Sequence, residues 1–338
     1  MKAIQIIQPE EVKVINILKP AAGSGEVLLK VRYIGFCGSD LSTYLGKNPM
    51  VSYPRIPGHE VSAVVEEIGP GVPDTIKKGD SVTVVPYTNC GTCASCKRGR
   101  YNACENNETL GVQRDGAMCE YITAPYEKIL KVPSLSGKEC ALIEPLTVGF
   151  HAIDRARVEA PDIVMVTGCG MIGAGAIAGA ALRGAIVIAV DIDDEKLNTA
   201  KKIGATHTIN TKKTDLHNEL NRILHGRAPD VVIEAAGNPI TYKAAIDEVA
   251  FTGRVVCIGY AKDEISFLTK LWVQKELDIL GSRNATPKDF EDVISLLKSG
   301  KFPTENVLSR VVSAEDSADA FKQWAENPGA VFKILLEF

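Results

Sequence analysis

The sequence predicts an α/β protein with two lobes, one β-rich and one built on a doubly wound parallel sheet. Three observations predict it. At 338 residues the chain exceeds what one ordinary core takes, and length suggests about two domains. Its first third consists of short apolar runs punctuated by glycine and proline turns. From about residue 145 buried strands alternate with helical periods, the pattern of a parallel sheet covered on both faces. A hydrophobic content of 45% and a charged content of 24% are those of a soluble globular protein. The net charge of −4 gives no electrostatic reason to expect nucleic acid or an anionic membrane as partner. Met1-Lys2-Ala3-Ile4 opens no signal peptide, and the apolar stretch from Met171 to Leu182 is too short to span a bilayer. A cytoplasmic protein is the expectation.

In the first lobe, Val12–Ile15 and Val27–Val31 read as strands, with Pro20 and Gly23-Ser24-Gly25 as turns between them. The pattern resumes at Val61–Val65 and Ser81–Val85, around turns at Gly69-Pro70-Gly71 and Lys78-Gly79-Asp80. Many short strands with few helical periods argue for a compact barrel or sandwich. At strand ends and in loops stand Cys37-Gly38-Ser39-Asp40 and Gly58-His59-Glu60. They offer a thiolate, an imidazole and a carboxylate, the ligand types zinc accepts.

Cys90, Cys93, Cys96 and Cys104 follow with spacing C-x2-C-x2-C-x7-C. Short spacers let one loop wrap a tetrahedral ion, and the spacing differs from ferredoxin runs, so a structural zinc is expected. A closed four-thiolate site leaves no position for substrate and stiffens its lobe instead. Cys119, Cys140, Cys169 and Cys257 sit among apolar or small residues and read as ordinary buried thiols.

The second lobe begins with a buried strand over Pro161–Val166, which runs into Gly168-Cys169-Gly170-Met171-Ile172-Gly173 and a helix to Arg183. The next strand, Ala185–Val190, ends at Asp191, eighteen residues after the third glycine. Glycines at Gly168, Gly170 and Gly173 permit a tight turn and close approach of a pyrophosphate to the N-terminus of a helix that carries on from Ala174, and Met171 and Ile172 within the turn are counted with them as cofactor-binding. Asp191 is placed for the ribose 2′-hydroxyl of NAD, and with Asp193 and Asp194 it would repel the 2′-phosphate of NADP. A helix over Asp194–Ile203, a strand over Asp230–Glu234, a helix from about Thr241, a strand over Arg254–Ile258 stopping at Gly259, and a segment Asp278–Leu280 stopping at Gly281 complete this Rossmann pattern. In the tail, Pro287–Lys298 and Ser313–Ala325 read as amphipathic helices and Ala330–Leu336 as a final strand. The tail is too small for a domain of its own, so it is expected to pack back onto the first lobe. The expected domains are 1–147 with 285–338, and 148–284.

Taken together, these motifs and Glu144-Pro145-Leu146 resemble the zinc-dependent medium-chain dehydrogenases over essentially the whole chain. The resemblance is nearest to the polyol and sugar-acid branch, with sorbitol, threonine and hexonate dehydrogenases. Within it, Ser52-Tyr53-Pro54-Arg55 and Gly281–Pro287 look like the L-galactonate-type 5-dehydrogenases. The resemblance implies a GroES-like catalytic domain beside a Rossmann NAD-binding domain, and two zinc ions per chain. It implies Cys37, His59 and Glu60 as ligands of the catalytic zinc, and Glu144 as a fourth, bound directly or through a water. Asp40 would accept the other ring N–H of His59 and fix its tautomer. A homodimer or homotetramer joined through the cofactor lobes is likewise implied.

The implied reaction is removal of a hydride from a secondary alcohol of a polyol or sugar acid, the first candidate being L-galactonate at C5. Zinc acts as Lewis acid, Ser39 takes the hydroxyl proton and NAD takes the hydride. The sequence departs from many relatives at Ser42, where a histidine would pass the proton onward. Glu144 as a third anion would weaken the Lewis acid, so it is expected to give way to substrate or water. Arg283 is a candidate contact for cofactor or for a substrate hydroxyl or carboxylate. Threonine, sorbitol, another polyol or a sugar stay open as substrates. A different class, a non-catalytic zinc protein that binds a partner through the four-cysteine lobe, would hold one zinc and no NADH.

Overall fold

The computed structural model describes residues 1–261 and 263–338. Its packing divides the chain into two compact units, Met1–Glu144 with Val307–Phe338, and Pro145–Asn306.

The first unit opens with β1 (Lys2–Gln8), β2 (Glu11–Asn16) and β3 (Glu26–Gly35), then α1 (Gly38–Tyr44), β4 (Glu60–Ile68) and β5 (Ser81–Val84). A short α2 (Ala94–Lys97) carries part of the cysteine-rich segment, followed by β6 (Tyr121–Pro125), β7 (Ile129–Lys131) and α3 (Gly137–Ala141); α4 (Ile143–Arg155) begins in this unit and belongs to the second from Pro145 onward. The second unit holds β8 (Ile163–Thr167), α5 (Met171–Leu182), β9 (Ile186–Asp191), α6 (Asp194–Ile203), β10 (His207–Asn210) and α7 (Leu216–Leu224). It continues through β11 (Val231–Glu234), α8 (Pro239–Glu248), β12 (Arg254–Cys257), α9 (Lys270–Gln274), β13 (Asp278–Gly281), α10 (Pro287–Lys298) and α11 (Thr304–Val307). The chain then returns as β14 (Arg310–Val312), α12 (Ser317–Glu326) and β15 (Ile334–Glu337).

In the first unit β14-β15-β3-β4-β5-β7 form one sheet, with β6 also paired to β3. The return is integral to it: β15 pairs antiparallel with β3, Leu335 opposite Gly35. Behind it, Phe36 stacks on Phe321 of α12 with ring centroids 4.7 Å apart. That contact, with Ile4, Leu29, Ile34 and Ile334, makes the core of the unit.

In the second unit a six-stranded parallel sheet runs β10-β9-β8-β11-β12-β13. Successive residues of its strands enter opposite cores. Val164, Val166, Val187 and Ile233 pack with Ala152 of α4 and Ile177 of α5, while Met165, Ile188, Val190 and Val232 pack with Leu220 of α7 and Ile246 of α8. Both faces are therefore apolar, which is why these strands read as unbroken Val/Ile runs. The expected return at residue 285 differs from the division at Val307. Asp289 of α10 accepts from His151 Nδ1 of α4 at 3.0 Å, both side chains buried, which ties α10 into the second unit.

Candidate metal and dinucleotide sites

Cys37 stands at the N-terminus of α1 with extended backbone, just past the end of β3. His59 and Glu60 stand where β4 begins, and Glu60 lies opposite Gly35 in the β3–β4 register. Ligand atoms of Cys37, His59 and Glu60 lie within 4.8 Å of one another. Gly35 makes this possible, because a Cβ there would come within 1.7 Å of Glu60 Oε2. His59 and Glu60 are buried, while Cys37 keeps some exposure. Burial alone would lower the His59 pKa, but the Cys37 thiolate, Asp40 and Glu144 outweigh it and raise it well above the usual value. Such an excess of negative charge around one imidazole suits a cation. Two buried atoms beside the group, Ser39 Oγ and His59 Nδ1, have no hydrogen-bond partner among the described residues. A soft thiolate, an imidazole and a carboxylate with unsatisfied polar atoms beside them fit a zinc ion and its substrate.

The hydrogen bond expected from His59 to Asp40 is not made. Asp40 is the third residue of α1, and its carboxylate caps the helix by accepting from Cys37 N at 2.9 Å and from Gly58 N at 3.3 Å. It thereby fastens the loops carrying Cys37 and His59, and acts on His59 through charge alone. Burial raises the Asp40 pKa, and its Coulombic attraction to His59 works against that rise.

Two residues of the site escaped the sequence reading. Lys333, only 3% exposed, donates to both oxygens of Glu60 at 2.6 and 2.7 Å and to Phe36 O at 3.0 Å. Its one sequence signal was a lone lysine in an otherwise apolar final strand. Burial works to lower the Lys333 pKa, and Glu60 and Cys37 outweigh it, so the ammonium is held charged. Tyr87, 5% exposed, donates its phenol hydroxyl to Glu144 Oε1 in the first turn of α4. Glu144 is 4% exposed, and burial raises its pKa against the pull of His59. The close group of possible metal ligands comprises Cys37, His59 and Glu60, and Glu144 stands outside it.

Cys90, Cys93, Cys96 and Cys104 also bring their sulfurs within 4.8 Å of one another. Backbone amides point at the sulfurs, Cys93 N donating to Cys90 Sγ at 3.4 Å and Cys90 N to Cys104 Sγ at 3.3 Å. The Thr92 hydroxyl and nearby amides lower the Cys90 pKa to about 5, favouring the thiolate that a metal takes. Of the remaining thiols, Cys119, Cys140 and Cys169 are buried as expected, but Cys257 is only partly so.

In the second unit, Gly168 adopts φ +88° between β8 and α5, and Gly170 precedes the first turn of α5, where Met171 and Ile172 begin the helix. A Cβ on Gly173 would fall 1.9 Å from Gly168 O, so only glycine allows this strand-to-helix turn. Asp191 ends β9. It accepts from Cys169 N at 2.7 Å through one oxygen and from Ile192 N and Asp193 N through the other, locking the carboxylate against the turn. Gly259 follows β12 at the same carboxyl end of the sheet, and Arg283 follows β13 with partial exposure.

The alcohol dehydrogenase GroES-like domain model matches residues 23–134, and the zinc-binding dehydrogenase model matches residues 172–299. The chain is 34% identical over 346 residues to a sorbitol dehydrogenase of Bacillus subtilis strain 168, covering 99% of this chain and 97% of that one. It is 32% identical over 331 residues to the L-galactonate-5-dehydrogenase of Escherichia coli K12, covering 98% and 97%. A crystal structure of an alcohol dehydrogenase, RspB, from Escherichia coli CFT073 complexed with NADH is similar with TM-score 0.92 at 32% identity, covering 100% and 99%.

Proposed function

We propose, from the premise that this chain belongs to the zinc-dependent medium-chain dehydrogenase family, that it oxidises a secondary alcohol of a hexonate, with L-galactonate at C5 the first candidate. Its class within that family is NAD-dependent alcohol dehydrogenase of the polyol type. The observation that carries the reading is the convergence of Cys37, His59 and Glu60 beside the unpartnered hydroxyl of Ser39.

Cys37, His59 and Glu60 would hold the catalytic zinc, and the four cysteines a second zinc that stiffens their lobe. When bound, the catalytic ion supplies Lewis acidity that brings an alcohol hydroxyl within reach of a weak base at neutral pH. Ser39 Oγ accepts the hydroxyl proton. The C–H electron pair leaves with its hydrogen to the nicotinamide, and the alcohol carbon becomes a ketone. Ser42, on the same helix, offers no imidazole to carry the proton onward, so the proton leaves Ser39 through water or the cofactor ribose. Gly168, Gly170, Met171, Ile172 and Gly173 receive the pyrophosphate, Asp191 the adenosine ribose, and Gly259 the nicotinamide half. Arg283 supplies a cation suited to a cofactor hydroxyl or to the carboxylate of a hexonate.

A second copy of the chain is the proposed partner, as a homodimer or homotetramer. The support is the outer edge of β13, unpaired among the described residues, with Ile279 exposed on it and Leu268 and Val273 exposed near it in sequence. No described helix is long and apolar enough to cross a membrane. A cytoplasmic location is supported by nine cysteines that are all free.

The test is a panel of hexonates, sorbitol and other polyols, and threonine, offered with NAD while NADH absorbance is followed. The expected outcome is highest kcat/KM on a hexonate. Preference for sorbitol or threonine would move the substrate within the branch, and no activity on any secondary alcohol would sink the assignment.

A further inference from the structure

A phenol has no part in ligating zinc, yet one is buried at the edge of this centre. Tyr87 lies three residues before the cysteine-rich segment, 5% exposed, with its hydroxyl spent on Glu144 Oε1. Glu144 is equally buried, and the charges of His59 and Glu60 act on its carboxyl. Even so, it is not one of the three residues whose ligand atoms lie within 4.8 Å of one another. A buried carboxylate this near a divalent cation is drawn onto it unless something holds it elsewhere. Cys37 and Glu60 already supply two anions, one of them offset by Lys333. A third anion bound directly would fill the position that substrate needs and weaken the Lewis acid.

We propose that Tyr87 is a positioning residue that holds Glu144 off the catalytic metal and so keeps one coordination position open for the substrate hydroxyl. The proposal rests on the reading of this centre as a catalytic zinc site. The phenol supplies a directed hydrogen bond to one carboxylate oxygen, and both side chains are buried, where such a bond is strongest. Glu144 then acts from a fixed distance, orienting what enters the open position without occupying it.

The experiment is a pair of crystal structures of the zinc-loaded enzyme, native and Tyr87→Phe, with the rate of zinc loss to a chelator measured on both. Native crystals should show the Glu144 carboxylate beyond the roughly 2.0–2.2 Å of a zinc–carboxylate bond. In Tyr87→Phe that bond should form, zinc loss from this centre should slow by about tenfold or more, and kcat should fall by a similar factor. Zinc in the four-cysteine site serves as the internal reference and should leave at the native rate. Glu144→Gln supplies an independent arm: adding Tyr87→Phe to it should leave zinc loss unchanged. Glu144 bonded to zinc in the native crystals, or unmoved in Tyr87→Phe, would overturn the role given to Tyr87. Faster zinc loss in Tyr87→Phe, or slowing that persists in the double variant, would overturn it too. Zinc absent from Cys37 and His59 in native crystals would overturn the functional reading and this inference with it.

Discussion

Lys333 illustrates what a single side chain contributes to this centre. An ammonium 3% exposed and bonded to both oxygens of Glu60 offsets the charge of a carboxylate that would otherwise be buried alone. Breaking a buried pair from one side costs about 3–5 kcal/mol, because the remaining charge is left uncompensated. Zinc changes that cost, since a divalent ion beside Glu60 compensates the same carboxylate. Lys333→Met should therefore destabilise the metal-free protein by about that amount and the zinc-loaded protein by much less, while Lys333→Arg should be mild in both. Denaturant midpoints with and without zinc measure it, and an equal penalty in the two states would contradict the account. The ligands Cys37, His59 and Glu60 could be read from the sequence because metal chemistry restricts the residue types and the motif spacing places them. Lys333 and Tyr87 could not, because a buried partner is chosen by three-dimensional proximity and neither sits within any local motif. Asp40 shows the same limit from the other side: its sequence position was informative, but its carboxylate went to two backbone amides that only the fold brings together.

At the level of single elements, α10 depends on a carboxylate at its N-terminus. Asp289 Oδ2 accepts from Thr286 N at 2.7 Å, Thr286 Oγ at 2.6 Å and His151 Nδ1 at 3.0 Å, so one oxygen caps the helix and joins it to α4. Burial pushes the Asp289 pKa up, but the bonds from His151 and Thr286 prevail and leave it below the ordinary aspartate value. The unfolded chain then binds a proton at higher pH than the folded one. The stabilisation is complete above the unfolded pKa of about 4 and is lost as pH falls through the folded value. Asp289→Asn should cost about 1–3 kcal/mol at neutral pH, with the gap to native narrowing on acidification below about pH 4. Urea unfolding as a function of pH measures this, and a gap that widens toward acid would refute it. The helix itself is legible: the amphipathic period of Pro287–Lys298 gives the bounds observed, and the structure adds a proline at the first turn. Asp194–Ile203 was read equally well. By contrast β10, His207-Thr208-Ile209-Asn210, has too few apolar residues to register, whereas α7 carries Leu216, Leu220, Ile223 and Leu224 at helical spacing, a legible signal the sequence reading left out. The final strand begins at Ile334, later than the apolar run from Ala330 suggests, because Pro328–Ala330 form a helical turn first.

For the whole molecule, both metal groups belong to the unit that the chain leaves at Glu144 and re-enters at Val307, whereas the glycine-rich turn belongs to the other. Loss of each metal should therefore have separate consequences. In the catalytic group Cys37 is partly exposed, and the proposed reading leaves one coordination position open, so a chelator should attack without unfolding the protein. In the four-cysteine group Cys90 and Cys93 are partly exposed like Cys37, but Cys96 and Cys104 are buried and four thiolates would fill every position of a tetrahedral ion. Graded chelation should remove one zinc first and abolish activity, with circular dichroism unchanged and NADH fluorescence still reporting a bound cofactor. Loss of the second zinc should follow only under stronger chelation or mild denaturant and should lower stability by several kcal/mol, since structural zinc binding is folding free energy. Replacing Cys104 with serine should produce the second effect directly, giving a less stable chain whose remaining zinc still supports turnover when folded. Simultaneous release of both ions, or loss of NADH binding with the first, would show that the two units do not hold their sites independently. Release of the four-cysteine zinc before activity falls would reverse the roles assigned to the two metals.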